Sequence, residues 1–260
     1  MLISCVSKTP RMNATRTKPV AQAVMAQRFS GTGLDRHEYF PTPPWGTRAL
    51  CEHILDLRGQ SVWEPACGGG HMARALAEYA ACVVASDIVP RGFGTPFDFL
   101  ALESPHQTPS PFAAVDWIIT NPPFRHVGDF IRIGLSQARR GIAMLGRLQL
   151  LEGIERWHSI WKPWCGHITV APFVERLPME EGLVAPDTST ATAYAWLVIN
   201  KHLAGQPPLR HIPPCRTTLE KPGDYDPFET IQAVRALKAD RMQAQRGGKS
   251  HHASPGTVCG

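Results

Sequence analysis

Short apolar runs alternate along the chain with stretches in which apolar residues recur every three or four positions. The runs predict buried β-strands, and the three-to-four spacing predicts helices that bury one face. The predicted strands are residues 61–64, 81–86, 95–97, 115–119, 141–145, 167–171 and 193–199, and the predicted helices are residues 47–57, 71–79, 127–138, 148–161 and 227–244. Strands that alternate with helices indicate an α/β fold with a doubly wound, mostly parallel seven-stranded sheet.

The two ends of the chain differ in composition from its centre. The first 33 residues contain no acidic residue but carry five basic ones, Lys8, Arg11, Arg16, Lys18 and Arg28. We expect residues 1–33 to be a disordered basic arm. One folded domain is expected over residues 34–201, followed by a Pro-rich, partly disordered C-terminal extension over residues 202–260.

Length and composition restrict the class of protein. With 260 residues, of which 43% are hydrophobic, the chain can bury one sizeable core. It has no run of about 18 apolar residues and no signal-peptide core, so we expect a cytoplasmic protein without a membrane partner. Its seven scattered cysteines form no Cys-x-x-Cys pair, which predicts reduced thiols. The net charge of +5 is consistent with a polyanionic partner, although basic arms also occur on proteins that have none.

The predicted strand at 115–119 runs out into Asn121-Pro122-Pro123-Phe124, which we call the elbow. A proline excludes the helical region for the residue before it, so the Asn121 amide and the Pro122 carbonyl are held extended with no neighbouring N–H group to satisfy them. Two adjacent acceptors suit an amino group, and Phe124 offers an aromatic face on which a planar ring can stack. An ordinary proline-rich loop is the other interpretation of these residues.

A Gly-rich turn, Glu-Pro-Ala-Cys-Gly-Gly-Gly at residues 64–70, joins a predicted strand to a predicted helix, and we call it the glycine turn. Bare backbone N–H groups and a helix start allow a ligand to approach closely here. The third spaced glycine of a dinucleotide fingerprint is absent, and Glu64 would repel a pyrophosphate. Glu64 suits a cationic ligand instead, while a purely structural turn is the alternative.

Three further features lie at predicted strand ends or before the glycine turn. Asp87 ends the second predicted strand, where a carboxylate can accept hydrogen bonds from ribose hydroxyls, although an Asp that opens a surface turn is common too. Asp98 and Phe99 follow the predicted strand at 95–97, and Asp98 also suits a helix cap. Residues 39–43, Tyr-Phe-Pro-Thr-Pro, form a rigid extended stretch that we call the proline segment.

In their order along the chain, the proline segment, the glycine turn, Asp87 and the elbow resemble the motifs of class I S-adenosylmethionine-dependent methyltransferases, above all the DNA adenine-N6 family. The resemblance covers residues 39–124. It implies a Rossmann-like methyltransferase fold, S-adenosylmethionine as cofactor, DNA as partner and transfer of a methyl group to the N6 amine of adenine. The catalytic residues that it implies are Asn121, Pro122, Pro123 and Phe124. The cofactor-binding residues that it implies are Tyr39, Pro41, Thr42, Glu64, Pro65, Ala66, Gly68, Gly70, Asp87, Ile88, Asp98, Phe99 and Asn121.

The resemblance leaves the substrate open. Similar elbows occur in methyltransferases that act on guanine-N2 in ribosomal RNA, and an Asn-Pro-Pro-aromatic turn serves glutamine methylation in release factors. The proline segment favours DNA adenine over both, while RNA adenine-N6 methylation and a non-catalytic nucleic-acid-binding relative are further alternatives. The chain offers little room for a recognition domain, which departs from the sequence-specific members. A compact enzyme with a short basic arm resembles those carried by phages and integrated elements.

Two other patterns favour structural interpretations. Trp157 and Trp161 are four residues apart in a predicted helix, which is more typical of a packed face than of a surface that stacks on bases. His202, His211 and Cys215 do not have the spacing of a zinc site, so no metal is expected.

Overall fold

The computed structural model describes residues 38–103, 112, 114–202 and 209–247, so the expected basic arm at 1–33 lies outside the described residues. The strands are β1 (Ser61–Glu64), β2 (Cys82–Asp87), β3 (Thr95–Pro96), β4 (Trp117–Thr120), β5 (Gly141–Arg147), β6 (Ile168–Pro172) and β7 (Tyr194–Asn200). The helices are α1 (Pro44–His53), α2 (His71–Leu76), α3 (Val127–Gln137), α4 (Ile154–Arg156), α5 (Arg216–Leu219) and α6 (Phe228–Gly247).

The seven strands form one sheet in the order β3-β2-β1-β4-β5-β7-β6. Strands β1 to β5 pair in parallel, whereas β7 runs antiparallel to both β5 and β6. The order reverses beside β1, since β2 pairs on one side of it and β4 on the other. This is the doubly wound, Rossmann-like methyltransferase fold, so the predicted fold class is confirmed.

Two hydrophobic clusters fill the space on the two faces of the sheet. Because successive side chains of a strand point to opposite faces, Val62 and Ile119 pack in the cluster that includes α1 and α2, while Trp63 and Ile118 pack in the cluster that includes α3. Strands buried on both faces appear in the sequence as continuous apolar runs, which is why β1, β4 and β5 are predictable.

The predicted helix at 148–161 is wrong. The structure has a 3₁₀ turn at Leu148–Leu151, then α4, then a π-helical turn at Trp157–Trp161. Gly153 interrupts the segment with φ of 111°, a left-handed backbone conformation that an α-helix excludes. Trp157 is 54% exposed, whereas Trp161 packs against the hydrophobic cluster that includes α3, so the expected packed face is wrong for Trp157 and confirmed for Trp161.

The first compact unit of the chain extends to Tyr225, beyond the boundary at residue 201 that the sequence predicts. Ile212 forms a β-bridge with Phe173, and Cys215 is buried in the cluster with α1 and α2. The second unit contains α6. In the part of the chain that the structure describes, no helix combines the length and apolar character that crossing a membrane requires.

Candidate functional site

The carboxyl ends of β1, β2 and β4 border a cavity of about 410 Å³. Parallel neighbouring strands end at the same edge of a sheet, so Glu64, Asp87 and Asn121 reach this cavity from three different strands. The edge lies where the strand order reverses, which is the usual ligand-binding position in open α/β sheets.

Asp87 fixes the glycine turn through its carboxylate. The backbone N–H of Gly68 donates to Asp87 Oδ2 at 2.7 Å, and the N–H of Val89 donates to Oδ1 at 2.8 Å. The first hydrogen bond ties the glycine turn to the end of β2, and the second fixes the backbone that follows Asp87.

Two aromatic rings make the glycines of the turn necessary. Gly68 and Gly70 have φ of 52° and 83°, which glycine adopts without strain. A Cβ at Gly68 would lie 2.3 Å from the Tyr39 ring, and a Cβ at Gly70 would lie 2.4 Å from the Phe93 ring. The hydroxyl of Tyr39 also accepts a hydrogen bond from the N–H of Gly69 at 3.1 Å, so the proline segment packs directly on the glycine turn.

Glu64 is a buried carboxylate at the cavity, with 2% of its surface exposed. Among the described residues, none donates a hydrogen bond to its Oε2. Burial, and then the negative charge of Asp87, raise the pKa of Glu64 well above its ordinary value. A cationic group in the cavity would supply the missing partner and favour the ionised carboxylate.

The elbow is tied to the proline segment through Asn121. Its Nδ2 donates to the Phe40 carbonyl at 2.9 Å and to the Thr42 hydroxyl at 3.2 Å. Because a carbonyl only accepts, the nitrogen of the Asn121 amide faces Phe40, and the oxygen faces away from it. No described residue donates to Asn121 Oδ1 or to the carbonyl of Pro122, so two adjacent acceptors are free.

Phe124 completes the elbow. Its N–H donates to Glu38 Oε2 at 2.6 Å, and its ring lies 6.3 Å from that of Phe40 in a tilted arrangement. The guanidinium of Arg147, the last residue of β5, lies 4.2 Å from the centre of the Phe124 ring. The ring is therefore held from the backbone and covered on one side by a cation.

Asp98 and Phe99 also line the cavity. The Oδ1 of Asp98 accepts a hydrogen bond from the N–H of Leu100 at 3.0 Å, so Asp98 caps the 3₁₀ turn that follows. Phe99 is 2% exposed and packs edge-on against Trp63 at 5.2 Å.

Most of the residues named from the sequence border one cavity, although their roles stay predictions. Those that line it are Tyr39, Pro41, Thr42, Glu64, Pro65, Ala66, Asp87, Ile88, Asp98, Phe99, Asn121 and Pro123. Those that do not line it are Gly68, Gly70, Pro122 and Phe124. The first two of these hold the turn, Pro122 is buried, and Phe124 is half-buried beside Arg147.

The sequence analysis missed several other lining residues. They are Glu38, Phe40, Cys67, His71, Met72, Arg91, Phe97, Leu100, Arg125, His126 and Phe130. Phe40 and Cys67 lie inside the proline segment and the glycine turn without having been assigned a role, and most of the others lie within two positions of a predicted motif. Arg91 is different, because its guanidinium lies 4.1 Å from the centre of the Tyr39 ring and only the folded chain brings the two together.

No protein-family model matches the sequence, and no characterised protein sequence matches it. The fold is similar to a modification subunit assigned to a type I restriction enzyme from Vibrio vulnificus, with 15% identity, a TM-score of 0.47, and coverage of 86% of this chain and 56% of that one. It is similar to a protein assigned to the class I S-adenosylmethionine-dependent methyltransferases from Listeria monocytogenes, with 14% identity, a TM-score of 0.48, and coverage of 83% and 75%.

A third similar structure is the type I restriction-modification methyltransferase subunit from Streptococcus thermophilus, with 12% identity, a TM-score of 0.42, and coverage of 78% of this chain and 54% of that one. The chain thus spans little more than half the length of the two restriction subunits. Identities and scores this low leave the function to be inferred from the residues of the chain itself.

Proposed function

We propose that this chain is an S-adenosylmethionine-dependent methyltransferase that acts on the exocyclic N6 amine of adenine in DNA. The observation that carries the proposal is the pair of free acceptors, Asn121 Oδ1 and the Pro122 carbonyl, next to the ring of Phe124. They lie at the same sheet edge as a buried carboxylate that lacks a hydrogen-bond donor on one oxygen, Glu64.

The residues at the cavity fit S-adenosylmethionine. The volume of the cavity, about 410 Å³, lies within the range of ordinary small-molecule sites. Glu64 would hold a cationic part of the cofactor, since its buried Oε2 has no donor among the described residues. Asp87 would meet the ribose hydroxyls, and Asp98 and Phe99 the adenine, as the resemblance implies. When bound, S-adenosylmethionine supplies an electrophilic methyl group carried on a sulfonium.

The elbow supplies the acceptor side of the reaction. The exocyclic nitrogen of adenine is a weak nucleophile because its lone pair is delocalised into the ring. Asn121 Oδ1 and the Pro122 carbonyl each accept a hydrogen bond from one N–H of the amine. The nitrogen then moves towards tetrahedral geometry, and the positive charge that develops on it is stabilised. Once methylated, the nitrogen is cationic and acidic and releases one proton to water, so the mechanism needs no strong base, and much of the rate comes from positioning.

Preorganisation of Asn121 is part of this mechanism. Its amide nitrogen donates to the Phe40 carbonyl and the Thr42 hydroxyl, with Met179 Sδ at 3.7 Å as a third acceptor. The side chain is thus held in one orientation before substrate arrives, and no rotamer freedom is lost in binding the amine. A base within a duplex cannot reach the elbow and has to be flipped out of the stack.

The proposal is tested by product identification. The purified chain is incubated with methyl-labelled S-adenosylmethionine and, separately, with DNA, RNA and a protein extract, and the modified nucleosides or amino acids are identified by mass spectrometry. The expected product is N6-methyladenine in DNA. Label in RNA guanine or adenine, or in protein glutamine, would replace the proposed substrate with one of the alternatives, and cofactor binding without transfer to any polymer would indicate a non-catalytic relative.

A further inference from the structure

Arg147 is an exposed arginine next to the elbow. It is the last residue of β5, and β5 pairs in parallel with β4, the strand that leads into the elbow. Its guanidinium lies 4.2 Å from the centre of the Phe124 ring. Among the described residues, no carboxylate lies within ion-pair distance of Arg147.

The contact with Phe124 leaves the hydrogen-bonding capacity of Arg147 unused. A guanidinium carries five N–H donors, and no described residue accepts a hydrogen bond from the Arg147 side chain. An exposed cation–π contact is weak, so it is readily exchanged for another interaction. A cation held in this way suits an anion that arrives together with a planar group.

The other arginine next to the elbow is different. Arg125 lies 3.6 Å from the carboxylate of Glu38, which also accepts the N–H of Phe124. Its charge is thus offset within the protein, whereas the charge of Arg147 is not offset by a described carboxylate.

We propose that Arg147 binds a backbone phosphate of a nucleic-acid substrate and covers Phe124 until the target base arrives. The proposal rests on the proposed function and names a side chain that would hold the backbone of its nucleic-acid substrate. When the target base stacks on Phe124, it displaces the Arg147 guanidinium from the ring. The N–H donors of the guanidinium then bind a phosphate next to the flipped nucleotide. A phosphate favours the bidentate geometry that only arginine offers.

The test measures binding of a fluorescently labelled, adenine-containing single-stranded DNA by anisotropy over a series of salt concentrations. The variants are Arg147→Ala, Arg147→Gln, which keeps much of the length of the side chain, and Arg147→Lys, which keeps the charge. The control is Arg58→Ala, because Arg58 is exposed and lies ahead of the amino end of β1, away from the cavity edge. Circular dichroism and thermal unfolding of each variant check that the fold is intact.

We expect Arg147→Ala and Arg147→Gln to bind the DNA about fivefold to tenfold more weakly at moderate salt. The slope of log affinity against log salt should fall in magnitude by about 0.7, the value for one lost contact to a single-stranded phosphate. Arg147→Lys should keep the slope, and Arg58→Ala should match the wild type.

Unchanged affinity and slope in both neutral variants would overturn the phosphate role. If the wild type methylates DNA while these variants bind it normally, this inference fails and the proposed function stands. If the wild type neither binds nor methylates any polynucleotide, both fail.

Discussion

Asn121 and Phe40, which are 81 residues apart in the chain, are joined by a hydrogen bond of 2.9 Å from the side-chain amide to the backbone carbonyl. The sequence presents the proline segment and the elbow as two separate motifs. In the folded chain one of them sets the orientation of the central side chain of the other. The segment that borders the cavity is thus also the support of the proposed catalytic residue.

The contribution of the Thr42 hydroxyl to the orientation of Asn121 can be measured separately from that of the Phe40 carbonyl. We expect Thr42→Val to lower the single-turnover rate of methyl transfer about threefold to tenfold, because one N–H of Asn121 loses its acceptor and the amide gains freedom to rotate. Saturating cofactor removes any effect on cofactor affinity. Thr42→Ser retains the hydroxyl and should restore most of the rate, whereas a full rate in Thr42→Val would show that the Phe40 carbonyl suffices.

Cofactor affinity should depend on pH through Glu64. Burial and the charge of Asp87 raise the pKa of Glu64, so below that pKa the carboxyl is neutral and offers a cation little. A cationic ligand favours the ionised form, so affinity should rise with pH by up to about tenfold per unit and level off above the pKa of Glu64 in the free protein.

This linkage is measured by calorimetric titration with S-adenosylmethionine in two buffers of different ionisation enthalpy. Binding below the pKa should release a proton, and Glu64→Gln should abolish both the proton release and the pH dependence. Equal proton release in the wild type and in Glu64→Gln would assign the titration to another group.

Gly70 and Gly59 form a matched pair for testing the glycine turn. Both have positive φ, 83° and 72°, but a Cβ at Gly70 would lie 2.4 Å from the Phe93 ring, while a Cβ at Gly59 would meet no atom within 4 Å. Gly59→Ala should cost only the backbone strain of about 1–2 kcal/mol. Gly70→Ala should lower the free energy of unfolding, measured by urea denaturation, by more than Gly59→Ala does, and it should also weaken cofactor binding. Equal losses for the two variants would mean that Phe93 moves aside freely.

A buried ion pair ties the segment before Tyr225 to the helix α1. Arg48 and Asp224 have 4% and 6% of their side chains exposed, and two hydrogen bonds of 2.7 and 2.8 Å join them. Arg48→Ala should lower the free energy of unfolding by about 3–5 kcal/mol, because Asp224 is left as an uncompensated buried charge.

A double variant controls for the loss of the arginine side chain itself. Replacing both partners with apolar residues, Arg48→Met with Asp224→Leu, removes the unpaired charge, so much of the stability should return in urea denaturation. A double variant as unstable as Arg48→Ala would assign the loss to other contacts of Arg48, such as its hydrogen bonds to Glu78.

The central strands were predictable because burial on both faces leaves a continuous apolar run, and β1 has the predicted bounds. The helix at 148–161 was not, because its apolar spacing continues through Gly153 while the backbone there turns left-handed. Tertiary contacts determine the secondary structure of such a segment, and the spacing of apolar residues does not reveal those contacts.

Some features of the candidate site were likewise predictable from the sequence and others were not. Residues at strand ends, such as Asp87 and Asn121, follow from the topology once the strands are known. The free acceptors of the elbow follow from its prolines, but the partners of its Asn121 amide do not. Contacts such as those of Arg91 on Tyr39 and Arg147 on Phe124 join side chains from separate segments, and a single sequence carries no signal for them.

The account depends on the acceptor role of Asn121, and Asn121→Ala tests it most directly. Transfer of labelled methyl groups to DNA is measured for the wild type and for Asn121→Ala, together with the dissociation constant of S-adenosylmethionine for each protein. We expect the variant to lose at least about a hundredfold in transfer rate, since one of two fixed acceptors is gone, with cofactor affinity nearly unchanged. Transfer at the wild-type rate by Asn121→Ala would contradict the mechanism.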